Sequence, residues 1–347
     1  MKANNKNQKK SNKKQKLFKV IANDSYKHSY WSANIDNTFT IFKSIDAIFY
    51  LIYSKINSII NYDILHYKKI SEIKNAHNSQ ITNLRHCSDS INKRDLLLSI
   101  SKDDNILKIW NITNYECILN LKNVNTKGVL YSACFLKDSK KINILSSNYN
   151  SNGIPEPIKL FDLSGKKIME IKDKYNKNDN TYFIDTFYSK KKVSHTYIIA
   201  ANCGYVKSYN FKNGKIYRIY KDKKSDDNEN GHRFITIETI NNKVQLIESI
   251  SGNINIWDFH KGEKINVISC FKDPINDIIL LNDNQLLVGA FKSIKVIDLK
   301  KRIVINNLIK DNKYQEEVCV MEKFEHPLNS ECLVFQDTGG NTIIMEI

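Results

Sequence analysis

The sequence predicts an all-β fold in which one β unit is repeated around a closed ring. The 347-residue chain alternates short β-branched and aromatic runs with clusters of Asn, Asp, Lys and Gly, and no long amphipathic helix interrupts them. One phrase recurs: an apolar strand whose last large apolar residue is followed by Asp, Asn or Glu. A circular array buries both faces of such a unit and leaves no open sheet edge.

The spacing of this phrase sets the domain organisation. Measured at its last large apolar residue, the phrase recurs at steps of 48, 51, 48, 48, 40 and 48 residues, a mean of about 47. Seven copies at this spacing account for one closed domain, residues 31–347, and leave a separate arm, residues 1–30. The seven residues are Tyr62, Trp110, Phe161, Tyr209, Trp257, Ile297 and Met345.

The repeats resemble those of the WD-repeat (β-transducin-like) β-propeller family from about residue 30 onward. The strongest copies are 99–111 and 249–258, which end in Trp-Asn and Trp-Asp. Gly231-His232 and Ala76-His77 resemble the Gly-His pair that precedes a repeat in this family. The sequence of these repeats is also similar to that of WD-repeat proteins from protists whose proteomes are rich in Asn and Lys. The resemblance implies a seven-bladed β-propeller of four-stranded antiparallel blades.

Four strands can be placed in each of the second to sixth blades, with the first of each lining a central channel. In the second and third blades they are 81–86, 96–101, 106–110 and 117–121, then 129–135, 142–147, 158–161 and 168–171. In the fourth and fifth they are 182–188, 196–202, 206–209 and 216–220, then 234–240, 244–249, 254–257 and 265–269. In the sixth they are 275–281, 285–289, 294–297 and 303–308.

The two ends of the chain indicate how the ring closes. The last repeat supplies three strands, at 318–323, 331–335 and 342–345, whereas an unassigned strand at 37–42 precedes the first repeat. Placing 37–42 in the last blade completes it, so the sequence predicts closure by an N-terminal strand. On this prediction, deleting residues 31–43 unfolds the protein and deleting residues 1–20 leaves its melting temperature nearly unchanged.

The resemblance also implies a buried hydrogen-bonded tetrad in each blade, made of a His, a strand Ser, a turn Asp and the strand-end Trp. The second blade has all four residues, and in the fifth blade Gly252-Asn253 replaces the turn Asp. Buried polar groups stabilise a fold only when all their partners are present, so we interpret these residues as structural rather than catalytic or metal-binding. They are His77, Ser99, Asp103 and Trp110 in the second blade, and His232, Ser249 and Trp257 in the fifth.

Positive charge dominates the composition, with 53 basic and 37 acidic residues and a formal net charge of +16. Because only five of the basic residues are arginine, whose planar fork suits phosphate best, the charge argues weakly for a dedicated nucleic-acid surface. Residues 1–16 hold seven lysines and no acid, which is typical of a disordered arm. A solvated tail, a nuclear-localisation patch and an RNA- or ribosome-binding arm stay open as its role.

The sequence holds none of the motifs that mark common catalytic sites. There is no Gly-rich phosphate loop, no G-x-S-x-G elbow and no H-E-x-x-H motif. The seven cysteines form no C-x-x-C pair, and the longest apolar run, 47–53, is far shorter than the roughly 20 residues that span a bilayer. We therefore expect no catalytic, cofactor or metal site, no small-molecule substrate and no membrane contact, in a cytoplasmic or nuclear protein.

The expected function is a non-catalytic protein-interaction scaffold or a subunit of a multiprotein complex. An RNA- or ribosome-associated propeller, using the lysine-rich arm and the basic surface, is the alternative. The resemblance implies partner contacts at the loops before each first strand and the turns before each third strand. Tyr131 and Phe291 are the anchor candidates, with a core role open for both. The mapped positions are Gln80, Thr82, Lys102, Tyr131, Asp185, Ser251, Asn276 and Phe291.

Overall fold

The computed structural model describes most of the repeat region and one short segment before it. The described residues are 18–23, 38–101, 103–122, 124, 128–138, 141–149, 156–171, 181–189, 195–202, 204–222, 233–238, 243–309, 315–326 and 330–347. Within these ranges, no helix is long and apolar enough to cross a membrane.

The described strands form seven antiparallel sheets of four strands each, which are the blades of a β-propeller. β1 (Phe18–Asn23) belongs to the seventh blade. The first blade is β2 (Phe39–Lys43), β3 (Phe49–Lys55), β4 (Ser58–Asp63) and β5 (Lys68–Ile73). The second is β6 (Ile81–Asp89), β7 (Arg94–Ser101), β8 (Ile106–Asn111) and β9 (Glu116–Leu121). The third is β10 (Val129–Asp138), β11 (Lys141–Tyr149), β12 (Ile158–Asp162) and β13 (Lys167–Ile171).

The remaining blades repeat this order. The fourth blade is β14 (Thr181–Tyr188), β15 (Thr196–Asn202), β16 (Tyr205–Asn210) and β17 (Ile216–Lys221). The fifth is β18 (Arg233–Glu238), β19 (Val244–Ile250), β20 (Asn253–Asp258) and β21 (Lys264–Ser269). The sixth is β22 (Ile275–Asn282), β23 (Gln285–Ala290), β24 (Ser293–Asp298) and β25 (Ile303–Ile309). The seventh joins β1 to β26 (Val318–His326), β27 (Ser330–Asp337) and β28 (Asn341–Glu346). The predicted fold class, an all-β propeller of seven four-stranded blades, is confirmed.

The first strand of each blade lies nearest the central axis. These strands contact one another from blade to blade, and the contact between β2 and β26 joins the first blade to the seventh. The fourth strands form the outer rim. One face of the ring carries the loops before the first strands and the turns between the second and third strands. We call it the upper face. The lower face carries the turns between first and second strands and between third and fourth strands.

The apolar core is a ring of clusters between the blades. In the first cluster, Ile52 and Ile59 of the first blade pack with Leu97 and Trp110 of the second. A matching cluster lies at each of the other six blade interfaces, including the one between the seventh and first blades. Each blade is therefore stabilised from both sides, as a closed array requires.

An N-terminal strand closes the ring, but the segment predicted for this role is wrong. β1 pairs with β28, with Phe18 opposite Met345, whereas residues 37–42 contribute to β2, the first strand of the first blade. β2 is enclosed by two blades, and Phe39 is fully buried against the first and seventh. Outer strands carry lysines and exposed side chains, as in β5, so the apolar run at 39–42 suits an innermost position.

This correction also moves the start of the propeller. The strand Phe18–Asn23 falls inside the predicted arm 1–30, so the last blade begins before residue 31. Residues 1–16, with the arm's seven lysines, lie outside the described residues.

Candidate functional site

Three of the four residues predicted as a tetrad in the second blade meet at one buried hydroxyl. The Ser99 Oγ lies 2.8 Å from His77 Nε2 and accepts a hydrogen bond of 2.8 Å from Trp110 Nε1. Burial lowers the pKa of His77 to about 4, and the positive charge of Lys108 adds to this effect. The imidazole is therefore neutral near pH 7, and it ties the loop before β6 to β7 and β8.

Asp103, predicted as the acid of this tetrad, is exposed in the structure. The neighbouring Asp104 takes the place of the turn acid, because its Oδ2 accepts the N–H groups of Asn78 at 2.7 Å and Ser79 at 3.1 Å. Asn105 has a left-handed backbone, with φ +53°. This tight turn directs Asp104, rather than Asp103, at the loop before β6, so the acid braces the backbone beside His77.

The fifth blade also differs from the prediction. Trp257 Nε1 donates to Glu248 Oε2 at 2.9 Å, whereas the Ser249 hydroxyl accepts the N–H of Arg233 at 3.2 Å. Ser249 and Trp257 are therefore not hydrogen-bond partners. His232, the predicted histidine of this blade, lies outside the described residues.

Strand register explains this shift of one residue. Trp110 lies opposite Leu97, and Trp257 lies opposite Leu246. Counting two residues along each second strand from these partners gives Ser99 in β7 and Glu248 in β19. A buried glutamate therefore occupies the serine position of the fifth blade.

A repeated lysine on the third strands was missed by the sequence reasoning. It lies two residues before the strand-end residue in four blades, and in three of them its ammonium group donates to a backbone carbonyl in the loop before the same blade. The bonds are Lys108 to Ala76 at 2.5 Å, Lys159 to Val124 at 2.8 Å and Lys295 to Cys270 at 2.7 Å. The fourth, Lys207, is fully buried. Part of the chain's positive charge is therefore used inside the fold, where it fixes the loop that leads into a blade.

The predicted upper-face contacts include three bulged residues on the first strands. A register shift at the upper end of β6, β10 and β22 leaves Thr82, Tyr131 and Asn276 without an opposite residue. Thr82 is 9% exposed and Tyr131 is 4% exposed, so neither side chain offers a free surface. Tyr131 packs edge-to-face on Tyr182 of the next blade, at 5.4 Å between ring centroids. Of the two roles that the sequence left open for Tyr131, an exposed anchor and a core residue, the structure places its side chain in the core.

The other upper-face candidates are scattered rather than gathered. Asn276 Nδ2 donates to Glu317 Oε1 at 2.7 Å, so it bridges the sixth and seventh blades. Phe291 is half-buried and forms a backbone bridge with Glu317. Asp185 lies within β14, where Oδ1 accepts the N–H of Thr186 at 2.8 Å. Gln80 is half-buried, Ser251 is exposed, and Lys102 lies outside the described residues.

Sequence reasoning missed four charged side chains and one aromatic ring around the axis, which we call the channel cluster: Arg85, Phe183, Arg233, Asp277 and Glu322. They come from the first strands of five different blades. The guanidinium carbons of Arg85 and Arg233 lie 5.3 and 4.8 Å from the ring centroid of Phe183. This arrangement places two cations over one aromatic ring inside the channel. The sequence signal for the channel cluster was the rarity of arginine in a lysine-rich chain, because two of the five arginines, Arg85 and Arg233, belong to the cluster.

The two acids of the channel cluster join neighbouring blades. Asp277 Oδ2 accepts the N–H of Met321 at 2.6 Å, and Glu322 Oε2 accepts the N–H of Ile41 at 3.1 Å. Burial raises the pKa of Asp277 to about 6, against the opposing charge of Arg233. Burial also raises the pKa of Glu322 to about 8. Glu322 is therefore mostly protonated near pH 7, and the cluster can take up or release a proton near neutrality.

The described residues contain no group of three or more His, Cys, Asp or Glu side chains that could hold a metal ion. Burial raises the pKa of Cys319, a half-buried residue at the bulge of β26, so its thiol is protonated. The chemical groups of the channel cluster are therefore two arginine cations and two titratable carboxyl groups.

Comparison with known proteins gives no family for this chain. No protein-family model matches it, and no curated protein matches it in sequence. The propeller architecture therefore stands on the repeat and on the sheet topology.

Proposed function

We propose that this chain is a WD-repeat-type propeller that acts as a non-catalytic protein-interaction scaffold or as a subunit of a multiprotein complex. β-Propellers commonly serve as scaffolds, because rigid blades hold many loops in fixed positions. The observation that carries the proposal is the set of large apolar side chains exposed on these blades, such as Ile91 at 59%, Ile168 at 52% and Ile303 at 50%. Ile45 and Ile48, which share one turn of the first blade, are close neighbours within this set, and clustered exposed apolar side chains mark an interaction site where single ones do not.

The lower face of the first two blades shows how such side chains are held. Ile45 and Ile48 lie in the turn between β2 and β3 and are 47% and 37% exposed. The N–H of Ile45 donates to Asp95 Oδ2 of the second blade at 3.0 Å. His86 Nε2 lies 2.8 Å from the other oxygen of Asp95, and its ring stacks on Phe42. The turn is thus fixed across a blade interface and presents its isoleucines at little entropic cost on binding.

The expected setting is the cytoplasm, with the nucleus as an alternative. The hydrogen bonds among His77, Ser99 and Trp110 support the WD-repeat assignment, because the resemblance implies hydrogen bonds among these residue types.

Size-exclusion chromatography of the tagged chain from its own cells, with cross-linking and mass spectrometry, tests the proposal. We expect elution as an assembly larger than the 40.3-kDa chain. Ile45→Asp with Ile91→Asp should reduce recovery of at least one partner, whereas Ile265→Asp on the outer strand of the fifth blade, at a site 42% exposed, serves as the matched control. Elution of the chain alone would contradict the scaffold proposal.

The same experiment distinguishes the RNA- or ribosome-associated alternative, which rests on residues 1–16 and the net charge of +16. An assembly that survives ribonuclease supports protein contacts. An assembly that disperses, together with RNA binding that weakens steeply as salt rises, would instead support the alternative, because counterion release makes phosphate binding salt-dependent.

A further inference from the structure

The fourth blade departs from a pattern that the other outer strands share. In the first six blades a bulge lies beside the strand-end residue of the third strand, and it leaves one outer-strand residue without an opposite partner. In the fourth blade this residue is Tyr217, followed by Arg218. In the other five it is an isoleucine: Ile70, Ile118, Ile168, Ile265 and Ile305.

Tyr217 is held in place by aromatic side chains of the fourth and fifth blades. Its ring centroid lies 4.8 Å from that of Tyr197 and 5.9 Å from that of Phe259. Its hydroxyl forms a hydrogen bond of 2.9 Å with His260 Nδ1, in the turn between β20 and β21. The residue therefore joins the two blades at the lower edge of the rim.

Arg218 is exposed but fixed over this aromatic base. Its guanidinium carbon lies 4.7 Å from the ring centroid of Tyr217. Nη1 donates to the Tyr217 carbonyl at 2.7 Å, and Nε donates to the carbonyl of His260. The turn passes beside the Arg218 side chain at Gly262, whose φ of +75° is a left-handed conformation that favours glycine.

These bonds leave one end of the guanidinium facing outward. Among the residues that the structure describes, no acceptor contacts Nη2 of Arg218. An arginine whose side chain is already ordered loses little entropy when it binds an anion. The exposed Nη2 thus points to an acceptor supplied by another molecule.

The surroundings of Arg218 are basic and partly apolar. The turns at 211–215 and 259–263 contribute three exposed lysines, Lys212, Lys215 and Lys261, and one exposed acid, Glu263. Ile216, beside Tyr217, is 36% exposed. We call this surface the blade 4–5 seam: Lys212, Lys215, Ile216, Tyr217, Arg218, His260 and Lys261.

We propose that the blade 4–5 seam binds an acidic segment of a protein partner, with a carboxylate on Arg218 and an apolar side chain against Ile216. The proposal rests on the scaffold function and names the chemistry of one partner. Complementary charge supports it, since four cations surround one exposed apolar residue. Nucleic acid fits less well, because Arg218, Tyr197 and Phe259 already occupy the surroundings of the Tyr217 ring that a base would need for stacking.

Fluorescence polarisation with a labelled peptide that repeats Glu-Leu-Glu tests this directly on the full chain. We expect Arg218→Gln to weaken binding by at least roughly tenfold, as expected for a lost charge-assisted hydrogen bond. Arg302→Gln is the matched control, because it removes one exposed arginine from the sixth blade, in the turn between β24 and β25. Its effect should stay below about twofold, as for a distant screened charge. Both variants should melt as the unmodified protein does.

Three results would overturn the proposal: no binding of the peptide, equal loss in both variants, or retained binding when Gln replaces Glu in the peptide. Tighter binding of single-stranded RNA than of the peptide, lost in Arg218→Gln, would assign the seam to nucleic acid instead. If the peptide fails to bind while the chain still elutes as a ribonuclease-resistant assembly, the scaffold function stands and the seam proposal alone falls.

Discussion

At the residue scale, one serine hydroxyl organises the interior of the second blade. Ser99 is fully buried and contacts both His77 and Trp110, which come from different parts of the blade. A single hydroxyl can accept from the indole and donate to the imidazole at the same time. Its removal therefore affects two partners rather than one.

We expect Ser99→Ala to lower the free energy of unfolding by about 2 kcal/mol, because it leaves two buried polar groups without a partner. Thermal or denaturant unfolding followed by circular dichroism measures the change. Ser90→Ala, at an exposed position in the turn after β6, is the control and should have almost no effect. Equal stability of the two variants would show that the hydroxyl does not organise the blade.

Single residues also show which details a sequence motif cannot predict. The resemblance to a known repeat identified His77, Ser99 and Trp110, but it selected Asp103 and Ser249 where the structure uses Asp104 and Glu248. A choice between neighbouring residues depends on turn conformation and strand register. Both are set by pairing with other strands, so local sequence does not determine them.

At the element scale, the closing strand shows the difference between inner and outer positions. β2 buries most of its side chains between two blades, whereas β1 covers only the outer edge of β28. Both segments are short and apolar in sequence. β2 became the innermost strand because neighbouring blades enclose it on two sides, and this enclosure is a property of the tertiary structure.

We expect deletion of residues 1–24 to lower the melting temperature and to promote aggregation, because it removes β1 and leaves the edge of β28 unpaired. Differential scanning calorimetry and light scattering measure the two effects. Deletion of residues 1–16, which keeps β1, is the control and should change neither. A protein that tolerates both deletions equally would show that β1 contributes nothing to closure.

At the scale of the whole molecule, the channel cluster ties opposite sides of the ring to one another. Its residues come from five blades, and both acids accept backbone N–H groups of the next blade. Burial raises the pKa of Glu322 from its usual 4.5 to about 8. The folded protein thus holds a proton that the unfolded chain releases between these values. Stability from this group is complete below pH 4.5 and is lost as the pH rises through about 8.

We therefore expect Glu322→Gln to be more stable than the unmodified protein at about pH 9, by on the order of 2–4 kcal/mol, because the amide carries no charge to bury. Its carbonyl can still accept the N–H of Ile41. The two proteins should differ much less at about pH 5, where Glu322 is protonated in the folded state. Denaturant unfolding at both pH values measures the difference, and a gain independent of pH would contradict the assignment.

The sequence by itself determined the number of blades, the strands of the second to sixth blades and the residues that end each third strand. It did so because each repeat must present the same apolar pattern to its neighbours. Only the tertiary structure decided which N-terminal segment closes the ring, which side chains meet in the channel, and that the blade 4–5 seam differs from the other blades. Those features depend on contacts between blades that are far apart in sequence, and a repeat pattern carries no information about such contacts.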